Sequence, residues 1–151
     1  MRMFEIMSTA VQRVEPTVSA GDAAELMRLK GIHHLVVMEG STLKGIVSAR
    51  DLGGRTKAAA KKDQSVSDLM TDRVVAVEPD TPVRKAANLM RGRSIGCLVI
   101  VKGARVVGIV TTADLLELLG RGADRPSPLR KRADLHYRSP HRGKKGPRGV
   151  W

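Results

Sequence analysis

Aromatic side chains are nearly missing from this chain: one Phe, one Tyr and one Trp in 151 residues, all near the ends (Phe4, Tyr137, Trp151). Any core must therefore be built from Val, Ile, Leu, Met and Ala, and little is left in the folded part for bases of a single strand to stack on. Cysteine is as scarce. Cys97 alone excludes an intramolecular disulfide and a cysteine metal cluster. It sits in the apolar run Cys97-Leu98-Val99-Ile100-Val101, where a small buried residue is expected. No apolar run reaches the roughly 20 residues that a membrane-spanning helix needs. The start, MRMFEIMSTA, has no secretory apolar core. A cytoplasmic protein without membrane contact is the expectation.

Acidic residues are also in short supply, 15 against 27 Lys and Arg, giving a net charge of +12. The excess is uneven. Residues 121–151 hold ten Lys and Arg against Asp124 and Asp134, so two thirds of the charge belongs to this last fifth of the chain. Pro, Gly and basic residues dominate it, a composition that cannot bury enough apolar surface to fold by itself. Residues 121–151 thus read as a disordered basic tail, either a solvated extension or an arm for nucleic acid or another polyanion. His136 and His141 are too isolated to suggest a metal site.

What the chain has in abundance is itself. Shifting the sequence by 63 residues aligns Met7–Leu52 with Met70–Leu115 without a gap, at about 19 identities in 46 positions. The shared skeleton runs through Val14-Glu15-Pro16 and Val77-Glu78-Pro79, then Leu26-Met27-Arg28 and Leu89-Met90-Arg91. It closes on GIVSARDL (45–52) and GIVTTADL (108–115).

Each copy reads as strand, helix, strand, strand, helix. In the second, Val74–Val77 is a short strand ended by Glu78-Pro79, because proline removes a ladder donor. Thr81 is placed to cap a helix with Pro82 at its first position. Ala86, Ala87, Leu89 and Met90 line its buried face to about Arg91. In the first copy Ser19 and Asp22 offer the cap, and Ala23, Ala24, Leu26 and Met27 the face. Leu98–Val101 and Val106–Val110 form a hairpin, as do Leu35–Met38 and Leu43–Val47. A last helix follows Thr111, with Gly120 as its stop. Residues 53–63 join the copies, beginning flexible and turning helical. Neither copy has enough core to stand alone, so the fold expected is α/β (α+β), two motifs at 5–58 and 59–120 packed about a pseudo-two-fold axis with equivalent clefts between them.

The chemistry concentrates at the ends of the hairpins. Ser48 and Thr111 each precede a carboxylate, Asp51 and Asp114, by three residues. That spacing fits a helix cap, in which hydroxyl and carboxylate satisfy backbone donors. Two copies in register, each after Gly-Ile-Val, favour a ligand role as well. With Val-Glu-Pro before the helix, the paired strands and Gly-hydrophobic-x-[Ser/Thr]-x-x-Asp, the chain from 5 to 119 resembles a tandem pair of cystathionine-β-synthase (CBS) domains, a Bateman module standing alone. The resemblance implies adenine-containing regulatory ligands such as AMP, ADP, ATP or S-adenosylmethionine, and pairing into a homodimer. It gives Asp51 and Asp114 to ribose hydroxyls and Ser48 and Thr111 to phosphate. A carboxylate can chelate neighbouring hydroxyls, and a helix N-terminus welcomes phosphate. His33 and His34, at the entry to the second strand, resemble positions from which family members reach phosphate. The second copy has Gly96 and Cys97 there, so two unequal clefts are expected. Lys44, Arg50, Arg93 and Arg105 are solvated cations that could add charge across a cleft.

No nucleophile–base pair, metal cluster or convergent acid/base carboxylates accompany these residues, so neither a catalytic residue, a metal nor a required cofactor is expected. The sequence implies a non-catalytic sensor that binds an adenine nucleotide. The alternative is a nucleic-acid-associated protein in which the CBS pair is scaffold for the basic tail.

Overall fold

The protein is described as a computed structural model over residues 1–53 and 62–122. The joining segment 54–61 and the basic tail from 123 onward lie outside the described residues. In chain order the elements are α1 (Met3–Ile6), β1 (Arg13–Val14), α2 (Ala20–Lys30), β2 (His34–Glu39), β3 (Thr42–Ser48), α3 (Val66–Leu69), β4 (Ala76–Val77), α4 (Val83–Arg93), β5 (Cys97–Lys102), β6 (Arg105–Thr111) and α5 (Thr112–Gly120). They form two three-stranded sheets, β1-β2-β3 and β4-β5-β6, each with a parallel pair crossed by a helix and an antiparallel hairpin.

The 63-residue shift holds to the detail of pairing. Arg13 opposes Val36 as Ala76 opposes Val99, and His34 opposes Ser48 as Cys97 opposes Thr111. Even the register irregularities correspond, at Val37/Met38 and Ile100/Val101. Identical buried faces explain this: Ala23 and Met27 of α2 and Ala86 and Met90 of α4 are buried against Leu35 and Leu98 of their own sheets. A third cluster, built on Val36, Met38, Val99 and Val106, joins residues of the two sheets and so binds the motifs together.

The motifs do not divide at a single point of the chain. Met3 and Ile6 of α1 are buried in the core of the second motif, with Ala86, Met90, Leu98 and Val110. Val66 of α3 is buried in the core of the first, with Val14, Ala23 and Leu35. Each fully buried aliphatic side chain stabilises by about 1.5–3 kcal/mol, so the exchange is substantial. The backbone repeats it: Met3 and Phe4 donate to Thr81 and Pro79 carbonyls at 2.9 and 3.0 Å, and Val66 and Ser67 donate to Val18 and Pro16 at 2.8 and 3.1 Å. The first motif's core thus draws on residues beyond 58, and the second's on residues before 59.

Several local expectations shift by a residue or two. The helix after Pro79 begins at Val83, so Pro82 is its N-cap and not its first turn. The strand expected over 74–77 pairs only at Ala76 and Val77. Gly120 is the last helical residue of α5; the chain turns beyond it, where Gly122 has φ +81°. Ser19 does cap α2, accepting from the Asp22 N–H at 3.1 Å. Residues 49–53 after the first hairpin form turns, and any helix that follows would fall outside the described residues.

Two glycines permit the exchange. A Cβ on Gly108 would lie 2.5 Å from Met7 Sδ and 3.1 Å from the Ser8 carbonyl oxygen. One on Gly45 would lie 2.5 Å from Met70 Sδ and 2.8 Å from the Thr71 carbonyl oxygen. At both places the strand end pairs with the segment leading into the other motif, Ile109 with Ser8 and Ile46 with Thr71. Gly45→Ala and Gly108→Ala are each expected to cost about 1–3 kcal/mol in urea unfolding, because the backbone neighbour cannot yield. Gly92→Ala, at an exposed helical site with nothing within 4 Å, should gain about 0.5–1 kcal/mol. A second pair diverges: α2 ends on Gly31 at φ 63°, whereas α4 ends on Ser94 at φ 53°. Left-handed backbone costs a non-glycine residue roughly 1–2 kcal/mol. Ser94→Gly should therefore raise the melting temperature, and Gly31→Ser should lower it.

Candidate functional site

A cavity of about 400 Å³ opens where the two motifs meet the N-terminal segment. Its size lies in the range of small-molecule sites. Four stretches of chain build it. Ser8, Ala10 and Gln12 come from the segment between α1 and β1; Leu29, Lys30, Ile32, His33 and His34 from the end of α2 and the start of β2; Gly96, Ile109 and Thr111–Asp114 from the second motif.

The second-motif wall follows from its hairpin. Register pairs Thr111 with Cys97, and Thr112 then donates its N–H to the Gly96 carbonyl at 3.0 Å. The chain is held against the entry of β5 as it turns into α5. Asp114, only 2% exposed, accepts the Thr111 N–H at 2.7 Å, so the expected cap exists. The Thr111 hydroxyl takes the matching place in the box, yet its oxygen is buried without a partner at hydrogen-bonding geometry. Ala113 and Thr112 bring the first turn of a nine-residue helix to the cavity wall. The N-terminal turn of a helix carries a partial positive charge.

The first copy of the motif has the same construction. Asp51 accepts the Ser48 N–H at 2.8 Å, and Ser48 Oγ accepts the Asp51 N–H at 3.1 Å. Ala49 donates to the His33 carbonyl at 2.8 Å, the counterpart of Thr112 to Gly96. Ser48 and Asp51 do not line the 400 Å³ cavity.

Of the six residues read from the sequence, the structure gathers four: Thr111, Asp114, His33 and His34. This rearranges one expectation. The histidines were expected beside the first copy's carboxylate; His34 is near enough to feel the Asp51 charge, and both residues also line the cavity of the second copy's Asp114. The reason is the pseudo-two-fold packing, which sets the entry of β2 against the entry of β5: a Cβ on Gly96 would lie 3.9 Å from His34 Nε2. Burial lowers the His34 pKa below 6.5, the neighbouring His33 lowers it further, and the Asp51 charge opposes both. Burial likewise pushes the Cys97 thiol up, with the Asp114 charge adding to it, which disfavours the thiolate.

Ser8, Ala10, Gln12 and Lys30 went unnoticed in the sequence. Ser8 is the polar residue that pairs with Ile109, and it is itself buried. The signal for this wall was available in part, because the repeat begins at Met7/Met70. Four residues further upstream, Met3-Phe4-Glu5-Ile6 and Val66-Ser67-Asp68-Leu69 share an apolar-x-acid-apolar pattern without a single identity. Lys44, a suggested phosphate contact, instead lies 3.4 Å from Glu39 on the surface. Among the described residues no group of three His, Cys, Asp or Glu could hold a metal ion, and no helix is long and apolar enough to cross a membrane.

The CBS domain family matches this chain twice, over residues 3–52 and 66–121. The two stretches begin at α1 and α3, the helices exchanged between the cores. The CBS domain-containing protein YhcV of Bacillus subtilis is 34% identical over 112 residues, covering 74% of this chain and 80% of that protein. A homoserine O-acetyltransferase of Methanohalobium evestigatum is 36% identical over 117 residues, but this chain spans only 23% of its length. Among solved structures, the CBS domain pair of protein MJ0100, in complex with 5′-methylthioadenosine and S-adenosyl-L-methionine, superposes with a TM-score of 0.73 at 28% identity. It covers 80% of this chain and 97% of that one. Repeat, exchanged cores and twofold family match agree that the chain belongs to the CBS domain family and carries two CBS domains in tandem.

Proposed function

We propose that the protein is a non-catalytic sensor that binds an adenosine-containing ligand in the cavity beside Asp114. The observation that carries this reading is the convergence of Asp114, Thr111 and the two histidines on one 400 Å³ space between the motifs. A carboxylate has about four acceptor sites, so the cap to Thr111 N–H is compatible with accepting ribose hydroxyls as well. Ile32, Ile109, Ala10 and Leu29 provide an apolar lining suited to a purine ring. The bound adenosyl compounds of the MJ0100 pair support the same chemistry.

Regulation follows from where the cavity lies. A ligand there touches both motifs and the N-terminal segment at once, so its binding energy biases their packing, and a partner can read that bias. The acetyltransferase relative supports a module that serves other activities, because the likeness is confined to under a quarter of that protein. No observation favours the nucleic-acid alternative, and its proposed arm lies outside the described residues.

Isothermal titration with AMP, ADP, ATP, S-adenosylmethionine and 5′-methylthioadenosine tests the reading. At least one should bind, and Asp114→Asn should weaken it at least about tenfold, the scale of one charged hydrogen bond. Circular dichroism checks that this variant folds. Heat with none of the five, or equal affinity in Asp114→Asn, would refute the proposal.

His34 adds a pH dependence to the unliganded protein. His34 is held neutral by burial, so the unfolded chain binds its proton more readily than the folded one. Stability should hold above pH 6.5 and fall as pH drops below it, since the unfolded state then takes up protons that the folded state excludes. Thermal unfolding between pH 7.5 and 5.5 should show the loss, and His34→Gln should flatten it.

A further inference from the structure

Burial sorts the seven methionines of the chain into three groups. Met3, Met27, Met38 and Met90 are buried in the cores, and Met1 is exposed at the N-terminus. Met7 and Met70 are half-buried, and they are equivalent positions under the 63-residue shift. Each ends one of the exchanged helices. The Met7 N–H donates to the Met3 carbonyl and closes α1, and the Met70 N–H donates to the Val66 carbonyl and closes α3, both at 2.8 Å. Each then packs at the rim of the opposite motif's core, Met7 on the second and Met70 on the first.

Their thioethers fill the space that two glycines leave open. A Cβ on Gly108 would lie 2.5 Å from Met7 Sδ and 2.9 Å from its Cγ; one on Gly45 would lie 2.5 and 3.0 Å from the same atoms of Met70. Backbone carbonyls crowd the same points, that of Ser8 at 3.1 Å and that of Thr71 at 2.8 Å. The strand N–H groups facing those carbonyls are engaged with them, Ile109 N–H with Ser8 and Ile46 N–H with Thr71, both at 3.0 Å. Oxidation turns a flexible apolar thioether into a polar, chiral sulfoxide. At either methionine the new acceptor would enter a contact already crowded by acceptors. Cys97, the one thiol of the chain, competes poorly for an oxidant, because burial disfavours its thiolate.

We propose that Met7 and Met70 are oxidation sites through which a peroxide unlocks the exchange between the motifs. A lone pair on Sδ attacks one peroxide oxygen, so that an S–O bond forms and the O–O bond breaks. The hydroxide released takes up the proton left on the transferred oxygen and departs as water. The thioether is thereby oxidised by two electrons and the peroxide reduced. Because the two sulfurs stand at the ends of α1 and α3, oxidation loosens the helices that each motif lends to the other. Met1, at the exposed chain end, is an internal reference for reactivity, and the four core methionines are shielded by their burial.

The full chain, treated with dilute hydrogen peroxide and followed by peptide mass mapping and thermal unfolding, tests this. Met1, Met7 and Met70 should each gain one oxygen before any of the four buried methionines does. The melting temperature should fall by at least about 3 °C for a chain of this size, in step with oxygen uptake at positions 7 and 70. Met1→Leu should respond as wild type does. The doubly substituted Met7→Leu/Met70→Leu protein should keep its melting temperature in peroxide, since leucine is close in volume and takes up no oxygen. If that variant does not fold, the wild-type time course decides, through the match between uptake at these two positions and the loss of stability. Met7 and Met70 that resist peroxide while Met1 is oxidised overturn the proposal, as does uptake at both with an unchanged melting temperature. A core methionine oxidised first, a loss that tracks Cys97, or a double variant as sensitive as wild type overturns it equally.

Discussion

The architecture depends on a close backbone approach made twice. At Gly108 and Gly45 the last strand of each motif meets the segment that leads into the other, at a distance no side-chain carbon could share with Met7 or Met70. Around each contact the same set of bonds forms, with a short helix placed in the neighbour's core. Packing at that density tolerates little adjustment, so the reciprocal exchange ties the motifs into one folding unit. Half a repeat would leave Met3 and Ile6, or Val66, without the core that buries them.

The same exchange creates the candidate site. Because the N-terminal segment crosses to β6, Ser8 and Ala10 become a wall of the second motif's cavity while Gln12 leads into the first motif's sheet. The histidines arrive from the first motif for the same reason. The cavity is therefore shared between repeats, and any ligand in it reports on how the repeats are packed. The proposed sensing needs that coupling, and the topology supplies it.

The two repeats agree and differ in a pattern that follows burial. Identities between the repeats concentrate on buried faces and on the Gly-Ile-Val strand, where a change of volume costs stability. Several positions lining the cavity beside Asp114 differ from their counterparts in the other repeat: Lys30 from Arg93, Ala10 from Arg73, His34 from Cys97. Asp51 and Asp114, each capping its own turn, persist in both because they serve the backbone as well as any ligand.

Much was readable without coordinates. The repeat, the strand-helix-strand-strand order, the aliphatic core and the capping geometry of Asp51 and Asp114 all follow from residue type and spacing, since they are properties of segments a few residues long. Thr111 and Asp114 meet at the cavity wall because of that same spacing. The partnership of His33 and His34 with Asp114, the wall supplied by Ser8 and Lys30, and the exchange of α1 and α3 were not readable. They are contacts between residues some 50 to 110 positions apart, and a linear pattern records which faces are apolar but not which copy each face will meet. Sequence by itself determined that there are two like motifs with a carboxylate at each hairpin exit; only the tertiary packing decided that each motif completes the other.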